Sequence, residues 1–249
     1  MRERIGGISG DALTPIPTTK LHGLSPTRFA ERIRQCGYCT GYNLSERQVV
    51  AILHYARRTP CVRDRSGHCR FKIGEVRNGR SPDGEFVPIA DVDTSYPCRA
   101  LDEVARDATL VETARNYLSY SPTRVLKRLY WSPASDIPDD VRRSSGQTVD
   151  FHYDIEDSHS LYVYFYITGA DAASGAHVVI PESHRSKPLP IALSSCFQPE
   201  ERLSRYYPHA EPVTIEGGPG FGFAEDPACF HKVLAPAESD RLILQLRYS

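Results

Sequence analysis

Two side chains that could bind a metal lie two residues apart near the middle of the sequence. His152 and Asp154 stand early in VDFHYDIEDSHSLYVYFYITG, residues 149–169, which has the apolar and aromatic content of a β-strand. Side chains alternate between the two faces of a strand, so His152 and Asp154 should share one face and Tyr153 should lie on the other. The pair is therefore either half of a metal site or a solvated pair at the end of a strand.

A complete metal site needs a further ligand from a distant part of the chain. Two imidazoles and one carboxylate on one face of a metal, with the other positions open, are typical of non-haem Fe(II) oxygenases. Five later histidines are candidates for the second imidazole: His159, His177, His184, His209 and His231. His231 is the best placed, because it lies on a short predicted strand just before the last one, which Arg241 opens.

The last predicted strand, RLILQLRY, alternates in a way that places a charge inside the fold. Three leucines occupy one face and a mixed set the other: Leu242, Leu244 and Leu246 against Arg241, Ile243 and Gln245. If the leucine face is the outer one, the Arg241 guanidinium lies in the interior, where it is costly without an anion. A guanidinium fits a carboxylate through two hydrogen bonds, so the pattern indicates an anionic ligand at Arg241.

The first part of the chain has the signals of helices. In SPTRFAERIRQCG, Ser25 is a helix cap and Gly37 an end signal, and in LSERQVVAILHYARRTP, Ser45 and Gln48 form a capping box. Apolar residues at helical spacing predict a third helix over about 101–118.

Residues 61–98 have the signals of a hairpin. The strand-like segments RFKIGEV and EFVPIADV flank the turn signals Asn78-Gly79 and Asp83-Gly84, which predicts that the two segments pair.

From about residue 122 the sequence has the pattern of a β protein. Seven short apolar segments are separated by Gly, Pro, Ser and Asp, and one helix interrupts them: TRVLKRLYW, SLYVYFYIT, AHVVI, the helix PEERLSRYY, PVTIEGG, FGFAE, CFHKVL and RLILQLRY. Many short strands with regular turns predict a β-sandwich or a jelly-roll barrel.

Four separated features match the pattern of one known family: HYD followed by a strand, then SGAHVVIPESHR, then FAEDPACFH, then Arg241. On these features the chain resembles the phytanoyl-CoA dioxygenase family of Fe(II)/2-oxoglutarate-dependent oxygenases. The resemblance is strongest over roughly residues 120–249 and extends more weakly to RFAERIRQCGYCTGYNLSERQVVAIL. It implies a mainly β fold with flanking helices around a double-stranded β-helix, that is, a cupin-like jelly-roll core.

The sequence shows no boundary clean enough to separate two independent domains. Residues 1–24 would form a flexible N-terminal arm, and residues 25–249 a single oxygenase domain. Within that domain, residues 25–120 would be the helical and hairpin part and residues 121–249 the jelly-roll core.

A set of site residues follows from the resemblance. His152, Asp154 and His231 would bind Fe(II), and Arg241 would bind the far carboxylate of the co-substrate 2-oxoglutarate. Further contacts to 2-oxoglutarate would come from three residues that could equally be ordinary barrel packing: Tyr164, Lys127 and Tyr130.

The sequence departs from the family pattern at two positions. Glu182 replaces the glycine of the family's PGSH turn, and Val233 stands where a hydroxyl residue often helps to hold 2-oxoglutarate. The turn PESHR is therefore expected to bend differently, and another group must share the binding of the co-substrate.

The activity implied is that of a non-haem iron dioxygenase. With O2 and 2-oxoglutarate, such an enzyme hydroxylates an unactivated C–H bond of a small organic substrate and releases succinate and CO2. Two alternatives remain open from the sequence. One is a cupin-like metal-dependent isomerase or lyase, in which Arg241 would have no assigned role, and the other is a non-catalytic ligand-binding barrel.

Composition limits the partners and the location. The chain has 249 residues, 40% of them apolar and 24% charged, and its net charge of −1 disfavours nucleic acid as a partner. No apolar run approaches the roughly 20 residues that span a bilayer, and no secretory signal is recognisable at the start. Seven scattered cysteines indicate reduced thiols of a cytoplasmic protein, packed as small hydrophobes, in preference to disulfides or a Cys36–Cys39 zinc site. The sequence does not indicate an oligomeric state.

Overall fold

The computed structural model describes residues 7–9, 13, 25–63, 69–154 and 159–249. Its helices are α1 Pro26–Cys36, α2 Glu46–Arg58, α3 Arg99–Ala105, α4 Ala108–Leu118, α5 Asp139–Ser144, α6 Leu189–Ala192 and α7 Glu200–Tyr206. Its strands are β1 Gly7–Ser9, β2 Tyr38–Asn43, β3 Cys61–Val62, β4 Arg70–Phe71, β5 Ala90–Val92, β6 Arg124–Ser132, β7 Leu161–Tyr166, β8 His177–Val179, β9 Val213–Ile215, β10 Phe221–Glu225, β11 His231–Val233 and β12 Arg241–Tyr248.

The strands form two antiparallel sheets that enclose a barrel interior. The major sheet has the order β2-β10-β7-β12-β6-β5-β3-β4, with β1 also paired to β6, and the minor sheet has the order β11-β8-β9. Residues of both sheets meet in one buried cluster, to which Tyr164, Phe223 and Ile243 come from the major sheet and Val179 and Ile215 from the minor one. The predicted jelly-roll fold is confirmed.

A helical layer covers the outer face of the major sheet. Phe29 and Ile33 of α1 and Leu110 of α4 belong to one buried cluster with the sheet residues Leu244 and Leu246. The leucine face of β12 is therefore the outer face, as the alternation predicts. Its other face, with Arg241 and Gln245, lines the barrel interior.

The helix ends follow their capping signals. Gly37 ends α1 in the left-handed conformation, with φ 86°, and Ser45 and Gln48 make the predicted capping box at the start of α2. The prediction of one helix over 101–118 is wrong, because the chain breaks there into α3 and α4. The Asp107 carboxylate accepts hydrogen bonds from the backbone N–H groups of Thr109 and Leu110 and so starts a new helix.

The predicted hairpin of residues 61–98 is also wrong. β4 and β5 each pair with β3, which lies between them, and not with one another. The Asn78-Gly79 turn does form, but it closes a tight local reversal in which the backbones of Arg77 and Arg80 exchange two hydrogen bonds of 2.9 Å. Because the turn reverses the chain only between Arg77 and Arg80, it does not bring RFKIGEV and EFVPIADV together as paired strands.

Part of the predicted N-terminal arm has regular structure. Gly7–Ser9 pairs with Arg124–Leu126 of β6, and Leu13 is buried against the helical layer. Other residues of 1–24 lie outside the described ranges. Within the part of the chain that the structure describes, no helix is both long enough and apolar enough to cross a bilayer.

Candidate metal centre

Three potential metal ligands converge at one end of the barrel. One donor atom from each of His152, Asp154 and His231 can be chosen so that the three lie within 4.8 Å of one another. The backbones of His152 and His231 hold the two segments together, with N–H to carbonyl hydrogen bonds of 2.9 and 2.8 Å. The residues singled out in the sequence are therefore brought together by pairing between segments that are remote in the chain.

The element that carries His152 and Asp154 differs from the prediction. They do not open the strand LYVYFY, since β7 begins at Leu161 and residues 155–158 lie outside the described ranges. His152 pairs with β11 of the minor sheet instead. The predicted alternation nevertheless holds locally, because the Tyr153 ring packs against Phe230, 5.2 Å between centroids, in a separate buried cluster.

Backbone carbonyls orient both imidazoles. Nδ1 of His152 is 3.2 Å from the carbonyl oxygen of Asp150, and Nδ1 of His231 is 2.9 Å from that of Cys229. When each Nδ1–H donates to its carbonyl, each Nε2 keeps a lone pair, the form in which histidine binds a metal. Burial lowers the pKa of His152, and it lowers the pKa of His231 to about 4, so both rings are neutral at pH 7.

The centre is open on one side. The Phe197 ring stacks on the His152 ring at 5.1 Å and 18°, and half of the Phe197 side chain is exposed. The Asp154 side chain is 30% exposed to solvent. Among the described residues, the centre is therefore exposed to solvent at Asp154 and Phe197.

Arg241 is buried on the inner face of β12, where the sequence places it. Its side chain is 1% exposed, and its two terminal nitrogens donate to the Gly175 carbonyl and, at 3.0 Å, to the Ser132 hydroxyl. Its Nε has no hydrogen-bond partner among the described residues. A buried guanidinium with an unused donor is the local signature of a site for an anion.

The three weaker candidates lie in different places. Tyr164 is buried in the barrel interior, where its hydroxyl accepts a 2.9 Å hydrogen bond from Gln245 and its ring stacks on Phe223. Tyr130 also faces the interior, under the guanidinium of Arg128 at 4.6 Å.

Lys127 does not reach the barrel interior, so its prediction as a co-substrate contact is wrong. It lies opposite Leu246 of β12 and forms an ion pair with Asp102 of α3. The alternation of β6 turns it towards the helical layer, while its neighbour Arg128 pairs with Asp91 and faces the interior.

A buried histidine–glutamate pair next to the metal centre was missed in the sequence. His177, one of the five candidates for the second imidazole, is 3% exposed, and its Nε2 lies 2.8 Å from Oε2 of the fully buried Glu225. The His177 ring stacks on His231, 5.3 Å between centroids at 20°. One signal could have revealed the pair: the strand FGFAE puts Glu225 on the same face as Phe221 and Phe223.

Burial dominates the electrostatics of this pair. It raises the pKa of Glu225 to about 7. Burial, followed by the positive charge of Arg241, lowers the pKa of His177 to about 3. Each group is thereby biased towards its neutral form.

The two departures from the family pattern have clear structural positions. Glu182 keeps a left-handed backbone with φ 63°, so the turn retains a conformation that favours glycine even though glycine is absent. Val233 pairs with His177 across β11 and β8, so these two residues are neighbours on one face of the minor sheet.

The cysteines do not assemble a zinc site in the described part of the chain. Cys39, Cys61 and Cys229 are buried, in agreement with the prediction of small packed hydrophobes. Cys36 and Cys39 belong to no group of three metal-ligating side chains there.

Known proteins resemble this chain in structure. No family model and no curated protein matches its sequence. Solved structures do match. EctD from S. alaskensis, crystallised with 2-oxoglutarate and 5-hydroxyectoine, has 18% identity and a TM-score of 0.65 over 98% of this chain and 83% of that chain. The chain shares its fold.

Two further solved structures match at similar levels. EvdO2 from Micromonospora carbonacea var. aurantiaca, complexed with 2-oxoglutarate, has 15% identity and a TM-score of 0.59 over 94% of this chain and 93% of that chain. SnoK, a non-heme alpha ketoglutarate dependent carbocyclase from nogalamycin biosynthesis, has 15% identity and a TM-score of 0.62 over 94% of this chain and 86% of that chain. At identities this low, the structural matches establish the shared fold alone.

Proposed function

We propose that this protein is an Fe(II)/2-oxoglutarate-dependent dioxygenase that hydroxylates an unactivated C–H bond of a small organic substrate and releases succinate and CO2. The observation that carries the proposal is the convergence of His152, Asp154 and His231 within 4.8 Å in a jelly roll. The shared fold supports it, because structures of EctD contain bound Fe or 2-oxoglutarate and the EvdO2 structure contains 2-oxoglutarate.

The residues present fit both the metal and the co-substrate. Two imidazole nitrogens and one carboxylate, with an open side, are the donor set that non-haem Fe(II) oxygenases use. The unused Nε of Arg241 fits a carboxylate at the closed end of the barrel. When bound, Fe(II) together with 2-oxoglutarate and O2 supplies the oxidising power for the reaction.

The remaining work belongs to the side chains of this chain. His152, Asp154 and His231 would hold the metal, with both histidines oriented by the backbone carbonyls that their Nδ1 atoms face. Arg241 would bind the far carboxylate of 2-oxoglutarate and fix its orientation. The buried aromatic rings of the barrel interior would exclude water, and the exposed edge next to Phe197 would admit the substrate.

The presence of Arg241 favours this function over a cupin-like isomerase or lyase. A redox-inactive metal role does not need a second, anionic ligand, and a buried guanidinium without an anion destabilises the protein. SnoN and SnoK, described as an alpha ketoglutarate dependent epimerase and carbocyclase, have the same fold. Epimerisation and ring closure are therefore the alternative outcomes to examine in the product.

The test is a calorimetric titration of the metal-free protein with Fe(II), then with 2-oxoglutarate, under anaerobic conditions. We expect one Fe(II) per chain, and tighter binding of 2-oxoglutarate once iron is present. His231→Ala should abolish Fe(II) binding, whereas His209→Ala, at an exposed histidine away from the centre, should leave it unchanged. Full Fe(II) binding by the His231→Ala protein would rule out the assigned ligand set.

Turnover is measured in a second step. The iron-loaded protein is screened against a library of metabolites for substrate-dependent release of succinate, and products of active mixtures are identified by mass spectrometry. A product heavier than its substrate by the mass of one oxygen atom identifies hydroxylation. A product isomeric with its substrate identifies epimerisation, and the loss of two hydrogens identifies ring closure or desaturation.

A further inference from the structure

The pair of His177 and Glu225 has no role in the proposed metal centre, yet it occupies a costly position. Both side chains are nearly or fully buried, and they pack against aromatic rings such as those of Tyr164 and Phe223. A polar pair at such a depth is destabilising unless its hydrogen-bonding groups are used. Only one hydrogen bond links the two side chains, between Nε2 of His177 and Oε2 of Glu225.

The other ring nitrogen of His177 has no protein partner. Within the described ranges, Nδ1 of His177 makes no hydrogen bond, and the Glu225 Oε1 atom has none either. Nδ1 and Nε2 lie on different edges of the imidazole, so Nδ1 points away from Glu225. The ring is thus held by one nitrogen and leaves the other one available.

The surroundings of His177 define which molecule could use Nδ1. On one side the ring stacks on His231 of the metal centre. The positive charge of Arg241 acts on His177 and lowers its pKa, and Arg241 donates to the carbonyl of Gly175, two residues before His177 in the chain. His177 therefore lies close both to the metal centre and to Arg241, the two groups that 2-oxoglutarate would join.

We propose that His177 is a co-substrate-binding residue, which donates a hydrogen bond from Nδ1 to 2-oxoglutarate, and that Glu225 is the positioning residue that holds its imidazole in place. This inference rests on the proposed function. When the Glu225 carboxyl donates its proton in a hydrogen bond to Nε2, the neutral imidazole carries its hydrogen on Nδ1, which can then donate to a carboxylate. His177 also lies directly across from Val233, whose side chain has no polar atom to offer.

Substitutions that keep one nitrogen position at a time separate this role from a structural one. An Asn side chain places its amide near the position of Nδ1, and a Gln side chain places its amide near that of Nε2. If Nδ1 contacts the co-substrate, His177→Asn retains binding and His177→Gln loses it. If His177 matters only through its bond to Glu225, the order is reversed.

The experiment measures dissociation constants by calorimetry on protein loaded with Mn(II), which binds the same donors without turnover. For His177→Leu we expect the dissociation constant of 2-oxoglutarate to rise roughly 10- to 100-fold, as for the loss of a hydrogen bond to a charged group. His177→Asn should stay within about threefold of the unmodified protein, and His177→Gln should resemble His177→Leu. Glu225→Leu should raise the constant as well, and Glu225→Gln, which can still bond Nε2, should raise it less.

The outcomes are separable from those of the proposed function. If the unmodified, metal-loaded protein does not bind 2-oxoglutarate, the proposed function fails. If it does bind and His177→Leu or His177→Gln binds equally well, the assignment of His177 is overturned while the proposed function stands. Mn(II) affinity is measured for each variant, and a loss of 2-oxoglutarate binding explained by loss of metal would also overturn the assignment. Should His177→Leu fail to fold, the comparison of the Asn and Gln variants decides.

Discussion

Among single residues, the two arginines of β12 share a face but have different surroundings. Arg247 lies over the Tyr162 ring at 4.8 Å and donates to Gln245, and it is only partly buried. Arg241 is almost fully buried and has a donor without a partner in the described part of the chain. Only Arg241 has the environment of an anion-binding group.

The first prediction follows from this contrast. Arg241→Leu should weaken binding of 2-oxoglutarate by about 2–5 kcal/mol, because a buried charge pair loses one partner. Arg247→Leu is the matched control on the same face and should leave the affinity within about threefold. Calorimetry on Mn(II)-loaded variants gives the comparison. The opposite ranking of the two variants would move the anion site to Arg247.

A second prediction at this scale concerns the strained turn at Glu182. Its φ of 63° destabilises a residue that has a Cβ by roughly 1 kcal/mol. The Glu182–Arg185 ion pair, 3.6 Å long and exposed to solvent, adds little stability. Glu182→Gly should therefore raise the free energy of unfolding by about 1 kcal/mol, measured by urea denaturation. Glu182→Ala, which loses the ion pair and keeps the Cβ, is the control and should not stabilise. Equal effects of the two changes would refute the strain.

The single residues also show where sequence reasoning succeeded. His152 and Asp154 come together and Arg241 is buried on the inner face, as local alternation and residue type predict, and their roles stay predictions. Lys127 was assigned to the wrong face, since one residue of register decides between Lys127 and Arg128. Glu225 was missed because its meaning depends on His177, a partner on another sheet that no local pattern reveals.

Among the elements, those with their own end signals were predicted best. α1 and α2 begin and end at the residues that cap them. β3 and β4 have two residues each, too few for any alternation to be read, and their pairing is decided by the sheet. The break between α3 and α4 was hidden because Leu101, Val104, Ala108 and Val111 keep helical spacing across it.

The third prediction tests that break. Asp107 is buried and accepts from two backbone N–H groups of α4, at 2.9 and 3.3 Å. Asp107→Ala should lower the free energy of unfolding by about 1–2 kcal/mol, because both bonds are lost. Asp107→Asn keeps an acceptor oxygen and should cost clearly less. Chemical denaturation of both variants gives the values, and equal losses would mean that the cap contributes little.

At the scale of the whole molecule, one glycine joins the helical layer to the metal centre. Gly37 ends α1 with φ 86°, and its carbonyl accepts a 2.8 Å hydrogen bond from the backbone of Asp226, in the turn before β11. A Cβ at this position would lie 2.1 Å from Sγ of Cys229 and 2.7 Å from Nδ1 of His184. The two parts of the chain can approach this closely only because residue 37 has no side chain.

The fourth prediction uses this contact. Gly37→Ala should destabilise the fold by about 2–4 kcal/mol, from the left-handed backbone and the overlap together. Gly84→Ala is the control, since Gly84 also has a positive φ, of 84°, but open space around it. It should cost only the backbone part, roughly 1 kcal/mol. Thermal and urea unfolding distinguish the two, and equal costs would show that the contact is not tight.

The backbone bridge between His152 and His231 has a consequence for the order of folding. It joins two segments with most of the jelly roll between them in sequence, so forming it closes a long loop that gains little until the intervening strands are in place. The three proposed metal ligands should therefore come together among the last events of refolding. Competence to bind metal then reports that the barrel is complete, and a chain interrupted during folding would not present a half-built centre to free iron.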